Sequence, residues 1–338
     1  MAAIQFDLPL EKLWEHRAES KMPEDFEDFW RKQMIEVQES ALNYEMIPLQ
    51  YPSDQIELFM IKFRSVNGDL IYGYYARPIG NDKHANVLLQ YHGYNWAYDG
   101  DLNSVVAAAH RGYHSYKMLV RGQQFSENSA TSFGNPVGTL THGIQNKEDY
   151  YYKYVFMDVI LSIRILDDIL KSFKSRKFVA QGGSQGGALA IVAAALSEIK
   201  IDAVVSLYPY LSDYRRCMRI SPDGPYHEII EFLRRNTFLD RELIFDNLDY
   251  FDMVNFANLI ECPVLMGVGL VDTLVPPSAS FGVFHNLTTR KFIEIYPEFG
   301  HEGIPDFDLK VDGFLYNIFE NEDYDWSIHP LEDIFKVE

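Results

Sequence analysis

Lys177-Phe178-Val179-Ala180-Gln181, then Gly182-Gly183-Ser184-Gln185-Gly186, then Gly187-Ala188-Leu189-Ala190-Ile191-Val192-Ala193-Ala194-Ala195-Leu196 is the run that decides the fold. The first five residues predict a short core strand, and the last ten predict a tightly packed apolar helix. Between them one serine sits among small residues, in the Gly-x-Ser-x-Gly spacing of a sharp strand-to-helix turn. Such a turn strains the backbone of its central residue and leaves no room for flanking side chains, hence the glycines. The serine hydroxyl is lifted clear of the sheet, with the amino end of a helix beneath it to favour developing negative charge. The same spacing also suits a glycine-rich connection with a solvated serine, so the rest of the chain has to decide between the two.

A serine alcohol is a poor nucleophile at neutral pH and needs a base within hydrogen-bond reach, with a carboxylate to orient that base. Pro263-Val264-Leu265-Met266-Gly267-Val268-Gly269 predicts a buried strand running out into Leu270-Val271-Asp272. Lys291-Phe292-Ile293-Glu294-Ile295-Tyr296 predicts another, followed by Pro297-Glu298-Phe299-Gly300-His301-Glu302. Asp272 and His301 therefore stand at strand ends in the order Ser, Asp, His. The competing role for Asp272 is to cap the helix beginning near Pro276. Among ten histidines, His301 alone has this placement, since His92 follows a strand but far too early. An oxyanion hole needs two backbone N–H groups, one from the residue after the nucleophile and one from the loop after an earlier strand. Gln185 supplies the first. The strand Ala85–Gln90 leads into Tyr91-His92-Gly93-Tyr94-Asn95-Trp96, where Tyr94 is the second candidate and Gly93 permits close approach. For Asn95 and Trp96, packing over the core is as good a reading as substrate contact.

With 338 residues and 47% hydrophobic content, the chain is long enough for one large α/β core, and a single domain is expected. A net charge of −19 argues against nucleic acid and anionic membranes and favours a neutral substrate. Two cysteines, Cys217 and Cys262, do not make a disulfide framework, and no cysteine cluster or close histidine pair has metal-ligand spacing. No metal or cofactor is expected. The first residues lack a basic region followed by an apolar run, and no stretch matches a membrane span, so a soluble, cytoplasmic protein is expected.

Along the chain, residues 1–50 predict a helical extension packed around Phe26, Phe29 and Trp30, entered through Met22-Pro23-Glu24-Asp25. Alternation over 56–63 and 70–75 across Asn67-Gly68 predicts a hairpin. Strands near 86–91 and 114–120 enclose a helix near 101–111, and a long helix near 149–172 buries Val155, Val159, Ile163 and Leu166. From there the pattern is parallel α/β. Residues 211–261, rich in helical pattern, arginine and aromatics, form an insertion expected to cap the site, and 321–338 form an acidic tail with Tyr324, Trp326 and Phe335.

With these residues in hand, the chain resembles the acetyl xylan esterase and cephalosporin C deacetylase family, the seventh carbohydrate esterase family. The resemblance runs through Phe6-Asp7-Leu8-Pro9-Leu10, Phe26-x-x-Phe29-Trp30, Tyr91-His92-Gly93-Tyr94-Asn95, Arg121-Gly122-Gln123, Gly182 to Gly187, Tyr208-Pro209-Tyr210-Leu211, Tyr250-Phe251-Asp252, Asp272 with Pro276-Pro277, and Gly300-His301-Glu302. It implies an α/β-hydrolase fold: a mostly parallel sheet with helices on both faces, an antiparallel N-terminal hairpin and a helical insertion after the nucleophile region. It further implies a deacetylase for small O-acetylated substrates, including acetylated xylooligosaccharides and cephalosporins, with Ser184, Asp272 and His301 as triad and the Tyr94 and Gln185 N–H groups as oxyanion donors. Gly93, Asn95 and Tyr210 stand by the site as substrate-binding or supporting residues, and Arg121 and Gln123 as braces of nearby loops. A homo-oligomer, in the family usually a ring-like hexamer, is implied as well. Two departures concern the pocket: relatives often carry a tryptophan within the segment that reads 136–141 here and another around 105–108. The alternatives are a short-chain carboxylesterase of another substrate class, a peptidase- or lipase-like hydrolase with the same triad, and a non-catalytic α/β-hydrolase scaffold that binds a ligand or partner.

Overall fold

The computed structural model describes residues 6–80, 84–95, 102–129 and 137–320. Its strands are β1 (Tyr44–Leu49), β2 (Ile56–Arg64), β3 (Leu70–Pro78), β4 (His84–Tyr91), β5 (His114–Leu119), β6 (Ser175–Gly183), β7 (Ala203–Leu207), β8 (Val264–Gly269) and β9 (Lys291–Tyr296). They form one sheet in the order β1-β2-β3-β5-β4-β6-β7-β8-β9. The first four neighbours, β1 to β5, pair antiparallel, and from β5 through β4 to β9 every pairing is parallel. The predicted hairpin is β2–β3, turning at Gly68 with φ +91°. Glycine fits that left-handed turn because it has no Cβ to clash.

The helices are α1 (Leu10–Glu15), α2 (Phe26–Glu39), α3 (Leu102–His110), α4 (Tyr151–Ile169), α5 (Gln185–Leu196), α6 (Tyr214–Ile220), α7 (Tyr226–Arg235), α8 (Arg241–Leu248), α9 (Met253–Phe256), α10 (Pro277–Asn286) and α11 (Pro305–Glu320). Strand alternation separates the two faces of the sheet. On β3, Tyr75 joins the main core, whereas Tyr74 and Ala76 join a smaller cluster under α3 with Val105, Val106 and Ala109. The main core is built on α5, which lies against β4, β6 and β7. Leu189, Ile191 and Val192 on it are fully buried, and burying each such side chain stabilises the fold by about 1.5–3 kcal/mol. Helices α6 to α9 lie between β7 and β8, as the 211–261 insertion. Trp30 of α2 donates its indole N–H to the Tyr250 carbonyl at 2.9 Å, tying the N-terminal segment to that insertion.

The 1–50 segment departs from the all-helical expectation. Tyr44–Leu49 is an edge strand, paired with β2 from Tyr44↔Phe63 to Leu49↔Leu58. Tyr44 and Met46 pack against the core while Glu45 and Ile47 face out, a period-2 pattern too short to stand out beside the helical run of α2. Pro48 is tolerated because an edge strand has one side free of ladder hydrogen bonds. Both cysteines are free. Among the described residues no helix is long and apolar enough to cross a membrane. The 321–338 tail, Trp96 and Pro136 lie outside the described residues.

Candidate active site

Ser184 stands between β6 and α5 with φ +56° and ψ −123°, a conformation an L-residue holds only at a cost of about 1–3 kcal/mol. The surroundings enforce it. A Cβ at Gly186 would meet the Tyr91 carbonyl oxygen at 2.0 Å, and one at Gly182 would meet the Gly186 carbonyl carbon at 2.4 Å. Around the turn, the Ser184 N–H donates to the Leu207 carbonyl at 3.0 Å, and the Ser184 carbonyl accepts from the N–H groups of Ala188 (3.1 Å) and Tyr210 (3.1 Å). The serine is thus held by β7 and the start of the insertion as well as by its own helix. Gln185 is the first residue of α5, where a backbone N–H has no acceptor within the helix.

Asp272 follows β8 and His301 follows β9. The two meet with His301 Nδ1 2.8 Å from Asp272 Oδ2. The other carboxylate oxygen, Oδ1, accepts the N–H groups of Leu274 (2.9 Å) and Val275 (2.8 Å). The cap reading of Asp272 therefore describes one of its oxygens, which bonds a turn ahead of α10 rather than the helix itself. Asp272 is fully buried, and His301 is the member of the pair that reaches solvent. A carboxylate facing Nδ1 favours the tautomer with its proton there and leaves Nε2 as an acceptor. The Tyr208 ring lies 4.4 Å from the imidazole, centroid to centroid, and its hydroxyl donates to the Glu302 carbonyl at 2.7 Å, fixing the far side of the His301 loop.

Ser184 and His301 open into one cavity of about 360 Å³, which Gly93, Tyr94, Tyr208 and Tyr210 also line. A larger groove of about 690 Å³ runs along β1 and β2, but its walls carry no serine or histidine, so chemistry and not volume selects the site. Among the described residues no group of three or more metal-ligating side chains forms.

The loop after β4 is braced from several directions. His92 bridges it to the residue that follows β5, with Nε2 accepting the Val120 N–H at 3.0 Å and Nδ1 2.8 Å from the Gly93 carbonyl oxygen. The Asn95 N–H donates to Gln123 Oε1 at 2.9 Å. Gln123 and Gln185 form a reciprocal amide pair at 3.1 and 3.3 Å, and Gln185 Nε2 also reaches the His92 carbonyl at 3.3 Å. Gln123 therefore couples this loop to the serine turn. Asn95 is exposed at φ +55° and lies off the cavity. Arg121 is fully buried. Its guanidinium donates to Asp158 (2.8 and 3.0 Å), Asp69 (3.0 Å) and Ser65 (2.7 Å) and lies over the Tyr154 ring.

Three side chains near the site were not assigned a site role by sequence reasoning: Tyr208 against His301, Asp158 under Arg121, and Glu228 of α7, whose carboxylate accepts the Tyr94 hydroxyl at 2.9 and 3.0 Å. Tyr208 opens the Tyr208-Pro209-Tyr210-Leu211 motif, whereas nothing local marks Glu228, one of many acids in an acidic chain.

A profile described as acetyl xylan esterase (AXE1) matches residues 1–317. The chain belongs to the acetyl xylan esterase family. Its sheet and helices have the α/β-hydrolase fold, and two solved structures of the family superpose over nearly their whole length. An acetyl xylan esterase from Paenibacillus sp. R4 is 31% identical with a TM-score of 0.82, covering 91% of this chain and 99% of that one. Acetyl xylan esterase 1 from Thermoanaerobacterium sp. JW/SL YS485 is 30% identical with a TM-score of 0.83, covering 93% and 100%. A curated relative, acetyl esterase Axe7A of Xylanibacter ruminicola, is 29% identical over 286 residues, 82% of this chain. The chain spans 63% of that relative's length.

Proposed function

We propose that the protein is a serine esterase that removes acetyl groups from small O-acetylated substrates, acetylated xylooligosaccharides and cephalosporin C among them, through an acetyl-enzyme. The observation that carries the reading is the buried Asp272 carboxylate bonded to His301 at 2.8 Å, with His301 and the strained Ser184 on the wall of one cavity. Membership of a family named for acetyl xylan esterases supports the same conclusion.

In this mechanism Ser184 Oγ attacks the acetyl carbonyl as His301 Nε2 takes its proton, and Asp272 holds the imidazole and stabilises the imidazolium. The backbone N–H groups of Tyr94 and Gln185 receive the oxyanion, each worth about 3–4 kcal/mol in the transition state. The carbonyl–alcohol bond then breaks, and His301 returns the proton to the leaving sugar hydroxyl. Water, deprotonated by His301, attacks the acetyl-Ser184 ester and releases acetate and the free serine. A preference for a short acyl group follows the same reading, and a rejected methylene costs an ester about 1–3 kcal/mol. The protein acts as a homo-oligomer, in the family's manner a hexamer, and light scattering coupled to size exclusion reads that state directly.

The test combines fluorophosphonate labelling with acetate, butyrate and octanoate esters of one alcohol. The expected result is label on Ser184, loss of label and turnover in Ser184→Ala, and a preference for acetate. Turnover that survives the substitution, or faster cleavage of octanoate, rejects the reading. A screen of acetylated xylooligosaccharides, acetylated monosaccharides and cephalosporin C at matched concentration then ranks the substrates.

A further inference from the structure

The loop that carries Tyr94 is held to the sheet by His92, Gln123 and Gln185, all on the core side. Its Tyr94 side chain is anchored separately, by the insertion and by the turn at 137–141. The Tyr94 hydroxyl donates to the Glu228 carboxylate of α7, 2.9 Å from one oxygen and 3.0 Å from the other. The same phenolic oxygen accepts from Thr139 Oγ1 (2.7 Å) and the Thr139 N–H (3.1 Å), and the Leu140 N–H lies 3.3 Å from Glu228 Oε2. Three separate segments, the loop after β4, the turn at 137–141 and helix α7, thus meet on one half-buried pair of side chains.

We propose that Glu228 is a positioning residue for the oxyanion loop, acting through the Tyr94 hydroxyl to hold the Tyr94 backbone N–H toward the cavity that Ser184 faces. The proposal rests on the esterase reading above and extends it to the insertion: α7 contributes to catalysis by geometry without touching the substrate. The carboxylate is built into place. A Cβ at Gly138 would fall 2.1 Å from Glu228 Oε2, and Gly138 has φ +68°, so the turn closes tightly over the acid only because that residue is glycine. Pro225, the residue before α7, lines the catalytic cavity itself, so the helix that brings Glu228 also abuts the substrate space. Burial raises the Glu228 carboxyl to about 7. Burial, and then the charge of Glu228, keeps the Tyr94 phenol protonated and able to donate.

The pair is tested with Glu228→Ala, Glu228→Gln, Tyr94→Phe and the Glu228→Ala/Tyr94→Phe double variant, beside wild type and Ser184→Ala, on one acetate ester. Misplacing a transition-state donor by a fraction of an ångström lowers kcat with little effect on ground-state binding. Glu228→Ala and Tyr94→Phe are expected to lose about 10- to 100-fold in kcat with KM within about twofold, and the double variant to be no worse than the more impaired single. Glu228→Gln keeps an acceptor for the phenol and is expected to recover most of the loss. The rate of fluorophosphonate labelling, which needs the same oxyanion donors, should fall in parallel. Tyr94→Phe removes one oxygen and carries the test if Glu228→Ala does not fold. Unchanged kcat in Tyr94→Phe, effects that multiply in the double variant, or losses confined to KM overturn the proposal while leaving the esterase intact. Wild type that releases no acetate, or Ser184→Ala that still does, overturns both.

Discussion

Two basic side chains leave the carboxyl ends of strands in this sheet, and both meet a buried carboxylate at 2.8 Å: His301 on Asp272 after β9 and Arg121 on Asp158 after β5. Both stand next to a glycine in a short motif, Arg121-Gly122-Gln123 and Gly300-His301-Glu302. Their surroundings separate them. Every guanidinium nitrogen of Arg121 donates to a fixed acceptor, its side chain is wholly buried, and it joins the β2–β3 turn to α4. Among the described residues the imidazole of His301 is bonded on one nitrogen, partly exposed, and it faces a cavity with a strained serine on its wall. A saturated pair holds the fold; a pair with one position left for a reacting group can do chemistry.

The largest effect that could break this contrast is at the serine. Ser184→Ala is expected to lower kcat on an acetate ester by up to about 10⁶-fold, the scale of nucleophile removal in a triad, with the thermal midpoint nearly unchanged because alanine inherits the same backbone strain. Steady-state kinetics and a melting curve check both halves. Asp272→Asn should cost about 10⁴-fold in kcat, since an amide opposite Nδ1 favours the wrong tautomer; activity within tenfold of wild type would place Asp272 outside the catalytic machinery. The Arg121 cluster should respond the opposite way. Arg121→Met strands Asp158 and Asp69 as buried acids and is expected to cost about 3–5 kcal/mol of stability by denaturant titration, while the folded fraction still takes up fluorophosphonate at Ser184.

The smallest effect sharpens the contrast by pH. Glu228 is raised in the folded chain from an ordinary glutamate value to about 7 by burial. Between those values the folded state holds more protons than the unfolded state, so this group's contribution to stability declines as pH rises from about 4.5 to about 7. Glu228→Gln removes the titration, and its stability relative to wild type should therefore improve with rising pH across that window. Paired denaturant titrations at pH 5 and pH 7.5 read the stability of the variant minus that of wild type, and a signed difference that is constant or falls with rising pH contradicts the assigned burial.

Much of the architecture was legible because its causes are local. The Gly-rich turn between an apolar strand and an apolar helix, the Asn67-Gly68 hairpin, the all-apolar run of β8 and the β-branched and aromatic pattern of β9 each state their geometry within a dozen residues. Tyr44–Leu49 was not legible, because a short edge strand with a proline shows little periodicity until a neighbour pairs with it. Asp158 and Glu228 were also silent. Each is an ordinary acid on a helix, and only the approach of Arg121 or Tyr94 from another element gives it a partner.

What the sequence determined by itself was the order of chemical groups at successive strand ends, because strand, turn and helix preferences act over neighbouring residues and a parallel sheet places strand ends on one edge. What tertiary structure alone decided was which of those groups face empty space and which are sealed. Saturation, burial and the carboxylate that α7 brings to Tyr94 arise from contacts between segments far apart in the chain, and no local preference encodes them.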